Sequence, residues 1–63
     1  MGDVLCRVRA DSVKTGDYLY LEDARMTVSI LNIHRSGELL VLCWIGGFEY
    51  RMADELVCIE VMT

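Results

Sequence analysis

The sequence predicts an all-β domain in which five or six short strands form a small barrel or sandwich. Apolar and polar residues alternate with period two in several short runs, the pattern of a strand with one buried face. These runs are rich in β-branched and aromatic residues, which favour strands. Turn residues separate the runs at short intervals, and 63 residues leave room for a single domain, residues 1–63.

The first half of the chain contains three alternating runs: "VLCRVR", "DYLYLE" and "MTVSI". The dipeptide Gly16-Asp17 before the second run is typical of a turn, because glycine accepts unusual backbone angles and aspartate accepts backbone N–H bonds. The parity of the apolar residues changes after Ile30. We therefore expect a bulge or a sharp bend near Leu31–Asn32, the device with which small barrels turn corners.

The second half begins with "HRSGE", which predicts a hairpin turn with a positive φ at Gly37. The following run, "LLVLCWI", is apolar on both faces. It predicts a central strand, covered by the core on one side and by something else on the other. The glycines of "GG", residues 46–47, predict a tight turn, and "FEYRM" alternates once more.

The tail "ADELVCIEVM" supports two interpretations. Asp54 is a possible helix cap, and Leu56 and Ile59 have helical spacing. Against this, Val57, Ile59 and Val61 alternate with their neighbours, and β-branched residues lose rotamer freedom in helices. We expect one short helical turn at Asp54–Leu56, before a last strand.

The composition indicates an interaction surface. Hydrophobic residues make up 54% of the chain, above the roughly 45–50% that is typical of soluble domains. A domain of this size has a small interior, so part of its apolar surface must lie outside. Exposed apolar patches usually mark interfaces. We expect a homo-oligomer, with a dimer as the first choice, or a complex with another protein.

The cysteines and the apolar runs indicate a cytoplasmic protein. Three widely spaced cysteines, Cys6, Cys43 and Cys58, are a poor disulfide framework, so we expect free, buried thiols in a reducing compartment. The N-terminal residues are too charged for a signal peptide. The longest nearly uncharged run, Leu39–Phe48, is too short to cross a bilayer, so no membrane association is expected.

A family resemblance refines the fold. The pattern "KTGDYLYLEDARMTV…SGELLVLCWIGG…ADEL" resembles the YodC-like family of small bacterial proteins over residues 13 to 57. The resemblance implies a five- to six-stranded SH3-like barrel and no established activity. The first twelve residues lie outside it and are interpreted as an N-terminal strand extension. The family's Gly-Gly-Pro loop is "EDA" here, and Cys43 adjoins Trp44 instead of preceding it by two, so no role of that cysteine is carried over.

The candidate interface is aromatic with an acidic rim. Tyr18 and Tyr20 share one strand face and Leu19 and Leu21 the other. The leucines are the better core residues, which leaves the tyrosines outside as anchors for a partner. Acidic residues, including Glu49, would steer the surface toward a basic partner. The predicted protein-interface residues are Tyr18, Tyr20, Trp44, Phe48, Glu22, Asp23 and Arg25.

The alternative function is nucleic-acid binding. Arg7, Arg9 and Lys14 form a small basic cluster, and the surface tyrosines could stack on bases. The net charge of −4 argues against this, because general nucleic-acid binders neutralise phosphates with an excess of cations. The interpretation that we favour for the cluster is a solvated strand face.

Catalytic and metal chemistry have little support in the sequence. The three cysteines and His34 lack the paired spacing of zinc ligands. No Ser–His–acid or Cys–His pattern and no phosphate-binding loop is recognisable. We therefore predict a non-enzymatic interaction module with no catalytic, cofactor or metal residues, and a possible regulator or inhibitor of a larger complex.

Overall fold

A computed structural model describes residues 3–62. Met1 and Gly2 of the predicted extension, and Thr63 at the end of the predicted domain, lie outside this range. The described chain is all-β, with seven strands and one short 3₁₀ helix at Ala10–Ser12. The strands are β1 (Asp3–Arg9), β2 (Tyr18–Leu21), β3 (Met26–Ser29), β4 (Asn32–Ser36), β5 (Leu39–Trp44), β6 (Gly47–Met52) and β7 (Leu56–Met62).

The strands form two antiparallel sheets. The four-stranded sheet has the order β1-β7-β2-β3, and the three-stranded sheet has the order β4-β5-β6. In the first, β7 lies between β1 and β2, with Leu19 opposite both Val28 and Ile59. In the second, β5 is the central strand, as the apolar run "LLVLCWI" predicted.

A bend joins the two sheets. Strand β3 ends at Ser29 and β4 begins at Asn32, so the chain crosses from one sheet to the other at Ile30–Leu31. Backbone hydrogen bonds hold both sides of the bend. The Ile30 N–H donates to the Asp17 carbonyl at 2.9 Å, and the Leu31 N–H donates to the Cys43 carbonyl at 2.8 Å. The predicted change of direction is confirmed, one residue earlier than expected.

Turn chemistry explains two of the connections. The Asp17 carboxylate accepts the Lys14 N–H at 2.9 Å and Gly16 has φ +94°, so this turn is built as the sequence predicted. Gly37 has φ +60° between the paired residues Ser36 and Leu39, as expected for a two-residue hairpin.

The core lies between the two sheets. Leu19, Ile30 and Leu42 are its largest fully buried side chains, one from each sheet and one from the bend. Ala10 and Ala53 are also buried, where the 3₁₀ helix meets the turn between β6 and β7. The remaining buried residues are Val13, Val28, Leu40 and Val57.

Three details of the predicted fold are corrected. There is no helical turn at Asp54–Leu56; the Glu55 N–H bonds to the Met52 carbonyl at 3.0 Å in a tight turn, and β7 starts directly after it. The strands number seven within residues 3–62, because the bend divides β3 from β4. The tight turn predicted at 46–47 lies one residue earlier, since Gly47 already belongs to β6.

Neither sheet of the described chain closes into a barrel. Within the same range, no helix has the length and apolar character that crossing a membrane requires.

Candidate interaction surfaces

A groove opens where β2 and β7 stop pairing. Their register ends at Tyr20 opposite Cys58, and the residues beyond this pair are not bonded to each other. The β5–β6 hairpin of the other sheet closes one side of the opening. The resulting cavity has a volume of about 410 Å³, which is within the range of ligand-binding clefts. Its aromatic and charged lining residues are Tyr20, Trp44, Phe48, Glu22, Asp23, Glu49 and Arg51.

The groove carries an excess of negative charge. Arg51 pairs with Glu49 through an Nη2–Oε1 distance of 2.7 Å. Neither Glu22 nor Asp23 takes part in an ion pair within the part of the chain that the structure describes. Both side chains project from the exposed turn between β2 and β3. Two carboxylates of the lining therefore have no basic partner among residues 3–62.

Tight packing holds the groove tryptophan in place. Trp44 lies opposite Gly47 in the β5–β6 hairpin. A Cβ atom placed on Gly47 would be 3.1 Å from the indole Nε1 and 3.2 Å from Cε2. A glycine at this position therefore lets the indole lie directly over the β6 backbone, half-buried against the core and partly open to the groove.

Strand β6 turns its apolar side chains to solvent. Phe48, Tyr50 and Met52 are 58%, 57% and 44% exposed. The alternate residues Glu49 and Arg51 face the inner side of the sheet, with side chains only 26% and 33% exposed. This arrangement is the reverse of the usual one, in which a sheet on the surface directs its charged residues outward.

The outer face of the three-stranded sheet is apolar across two strands. Phe48 and Tyr50 are in contact edge to face, with ring centroids 5.5 Å apart. Residues paired across strands share one side of the sheet, and none of the nine residues on this side is Asp, Glu, Lys or Arg. We call this set the outer face: Asn32, His34, Ser36, Leu39, Val41, Cys43, Phe48, Tyr50 and Met52.

The structure brings together five of the seven predicted interface residues. Tyr20, Trp44, Phe48, Glu22 and Asp23 all line the groove. The other two lie elsewhere. Tyr18 is exposed on the four-stranded sheet, opposite Glu60, and Arg25 is exposed at the end of the turn that leads into β3.

Arg25 has a strained backbone, and replacing it with glycine should stabilise the fold. Its φ of +52° is the only positive value at a non-glycine residue in the described chain. The left-handed conformation costs an L-residue about 1–2 kcal/mol, and the greater chain entropy of unfolded glycine offsets part of the gain. We expect Arg25→Gly to raise the free energy of unfolding by about 0.5–1 kcal/mol in urea denaturation.

Arg7→Gly is the matched control, because Arg7 is an exposed arginine in the extended strand β1. Glycine inside a strand should destabilise the protein by about 0.5–1 kcal/mol. Equal destabilisation by both substitutions would contradict the left-handed conformation of Arg25.

The basic residues are spread along the start of the chain. Arg7 and Arg9 are exposed on β1, and Lys14 lies in the loop after the 3₁₀ helix. Arg9 pairs with Asp11 through two hydrogen bonds of 3.1 and 2.9 Å. These bonds lower the pKa of the Asp11 carboxyl and raise the pKa of the Arg9 guanidinium. Arg9 is therefore already engaged by an acid of its own chain.

The cysteines are free, as expected, but they are half-buried and not fully buried. Cys6 and Cys58 lie on adjacent strands of one sheet, and Cys43 lies on the other sheet. Within residues 3–62, no group of three His, Cys, Asp or Glu side chains is placed to hold a metal ion.

Sequence reasoning missed most of the outer face. Tyr50, Met52 and Leu39 were not among the predicted interface residues, although all three are exposed. A signal was available, because "LLVLCWI" is apolar on both sides and "FEYRM" lies only two residues further along. An alternating strand does not reveal which of its sides faces the core, so the alternation of "FEYRM" alone does not place Tyr50 and Met52 outside.

Comparisons with known proteins provide no relative. No protein-family model, no curated protein and no solved structure matches the chain. The resemblance to the YodC-like family therefore stays a prediction.

Proposed function

We propose that this protein is a non-enzymatic interaction module that self-associates through the outer face. The observation that carries the proposal is the reversed strand β6, which exposes Phe48, Tyr50 and Met52 and turns Glu49 and Arg51 inward. Leaving apolar residues in water is unfavourable by about 25 cal/mol per Å². A partner that covers this side recovers that free energy.

The area of the outer face fits a weak dimer. An aromatic side chain can bury about 150–250 Å², so at the observed exposures the outer face offers roughly 500 Å² per copy. Two copies together would bury about 1,000 Å², the lower limit for a specific interface. We therefore expect a dissociation constant on the order of 10–100 μM.

The absence of charge on the outer face favours a second copy as its partner. Each chain carries a net charge of −4, so two copies repel each other wherever their acidic residues meet. The outer face lets them meet without burying like charges. Two sheets that pack face to face bury one side of each, as in a β-sandwich.

Two finer features belong to the same proposal. We propose that the two sheets represent an SH3-like barrel in an open form. Support comes from the short bend at Ile30–Leu31, which joins the sheets and is bonded on one side to Asp17, next to β2, and on the other to Cys43 of β5. We also propose a cytoplasmic location, supported by the three free thiols. A role as regulator or inhibitor of a larger complex is compatible with an interaction module.

Nucleic-acid binding has weaker support. Arg9 is paired with Asp11, which offsets one of the three positive charges, and the other two lie apart, Arg7 on β1 and Lys14 in the loop after the 3₁₀ helix. Neither residue lines the groove.

Sedimentation velocity over a range of protein concentrations tests the self-association. Wild-type protein should shift from monomer to dimer, and Tyr50→Lys should raise the dissociation constant by about 100-fold or more. Tyr50 lies in the middle row of the outer face, opposite Val41. A two-fold symmetric dimer contains the substitution twice, so the change in the free energy of dimerisation is about twice that of a single substitution.

Tyr18→Lys is the matched control. Tyr18 is 48% exposed, close to the 57% of Tyr50, but it lies on the four-stranded sheet. This variant should dimerise like the wild type. A wild-type protein that stays monomeric above the expected dissociation constant, or a dimer lost only in Tyr18→Lys, would refute the outer face as the interface.

A further inference from the structure

We propose that the groove binds an arginine side chain presented by an extended basic segment of another protein. This inference rests on the proposed role as an interaction module but not on self-association. The ligand proposed for the groove is positively charged. The outer face contains no Asp, Glu, Lys or Arg side chain with which to select such a ligand.

Charge complementarity selects a cation. The groove lining contains three carboxylates, of Glu22, Asp23 and Glu49, and one guanidinium, of Arg51. Among residues 3–62, Glu49 alone of these three is neutralised, by Arg51 at 2.7 Å. Glu22 and Asp23 remain at the mouth of the groove, where they attract a positive group and repel acidic ligands.

The aromatic lining favours arginine over other cations. Tyr20, Trp44 and Phe48 contribute to the same cavity as the carboxylates. A guanidinium is planar, is weakly hydrated and stacks on aromatic rings while its N–H groups bond to carboxylates. The pair of Arg51 with Glu49 shows that a guanidinium and a carboxylate already meet inside this groove. A lysine ammonium lacks the planar stacking surface and should bind less tightly.

The edges of the groove favour an extended polypeptide as the carrier of the arginine. Pairing between β2 and β7 ends at Tyr20 and Cys58. Beyond this point the two strands do not pair with each other, so their facing edges are left unpaired. Unpaired strand edges accept main-chain hydrogen bonds from an added extended segment. A peptide can use these edges, whereas a small free cation cannot.

Trp44 provides the readout, because it is the only tryptophan of the chain and lines the groove. The probe is a blocked glycine–serine peptide with arginine at its centre, titrated while the Trp44 emission is recorded. Three further peptides carry lysine, citrulline or norleucine instead. The arginine peptide should bind most tightly and the lysine peptide less tightly. The citrulline peptide, which keeps the shape but has no charge, should lose about tenfold or more in affinity.

Two double variants distinguish a specific effect of the groove carboxylates from a general effect of the net charge. Glu22→Gln with Asp23→Asn removes the free groove carboxylates and should weaken arginine-peptide binding by about tenfold. Glu38→Gln with Asp54→Asn changes the net charge equally, from −4 to −2, at exposed residues outside the groove lining. This control should bind the peptide within about twofold of wild type.

Each result of these titrations either supports the proposal or overturns it. Loss of binding in the groove variant alone, with circular dichroism showing an intact fold, supports the proposal. Equal weakening in both double variants, equal binding of the citrulline peptide, or no change in Trp44 emission at millimolar peptide overturns it. Sedimentation of the same samples reports dimerisation separately, so failure of the groove and failure of the outer face are distinguishable.

Discussion

Replacing Leu42 with alanine is expected to remove most of the stability of the protein. Leu42 is 0% exposed and lies in the central strand β5. Buried leucine-to-alanine substitutions cost about 2–5 kcal/mol, because the cavity that they leave collapses only in part. A domain of this length has a total stability of about 3–9 kcal/mol. Urea denaturation followed by far-ultraviolet circular dichroism should show a loss of most of that stability.

The matched control is Leu39→Ala, the same substitution in the same strand on the opposite side. Leu39 is 38% exposed and belongs to the outer face. At concentrations too low for dimer formation, it should lose less than about 1 kcal/mol. Similar losses at the two positions would mean that β5 does not bury the side assigned to the core.

Deleting residues 1–12 is expected to prevent folding, although the family resemblance begins only at residue 13. Strand β1 pairs with β7 along its whole length, from Asp3 opposite Met62 to Arg9 opposite Leu56. Ala10 is a buried core residue, and its N–H bonds to the Glu55 carbonyl at 2.7 Å. The deletion exposes one edge of β7 and removes buried contacts, a loss of more than about 3 kcal/mol for a domain this small.

A shorter deletion, of residues 1–5, is the control for this prediction. It retains Cys6 opposite Ile59 and the 3₁₀ helix. Val4 and Leu5 are exposed, so their loss should leave a folded protein with a modestly lower unfolding midpoint. A sharp urea transition in the longer deletion variant would show that the first twelve residues are an appendage and not part of the core.

The sequence by itself determined the fold class, two of the turns and the side of β2 that faces the core. Period-two alternation identified the strands because side chains alternate between the two sides of a strand, and local sterics suffice for this pattern. Gly37 and the Gly16-Asp17 turn could be assigned because a positive φ and a backbone-capping carboxylate are local requirements. Leu19 was expected inside and Tyr18 outside, and their exposures agree.

The tail shows where local signals become insufficient. Asp54 and the spacing of Leu56 and Ile59 indicated a helical turn, but the chain there forms a tight turn and then β7. Pairing with both β1 and β2 stabilises this segment as a strand. Those partners lie tens of residues away in the sequence, and no local propensity encodes them.

Only the tertiary structure decided which side of β6 faces water and which residues form the groove. Phe48 and Glu49 alternate equally well with either one inside. The choice depends on the register against β5, which places Glu49 opposite the buried Leu42 and Phe48 opposite Cys43. The groove likewise forms where β2 and β7 separate beneath a hairpin of the other sheet. Both features arise from contacts between distant segments, whereas alternation along one strand specifies only that its two sides differ.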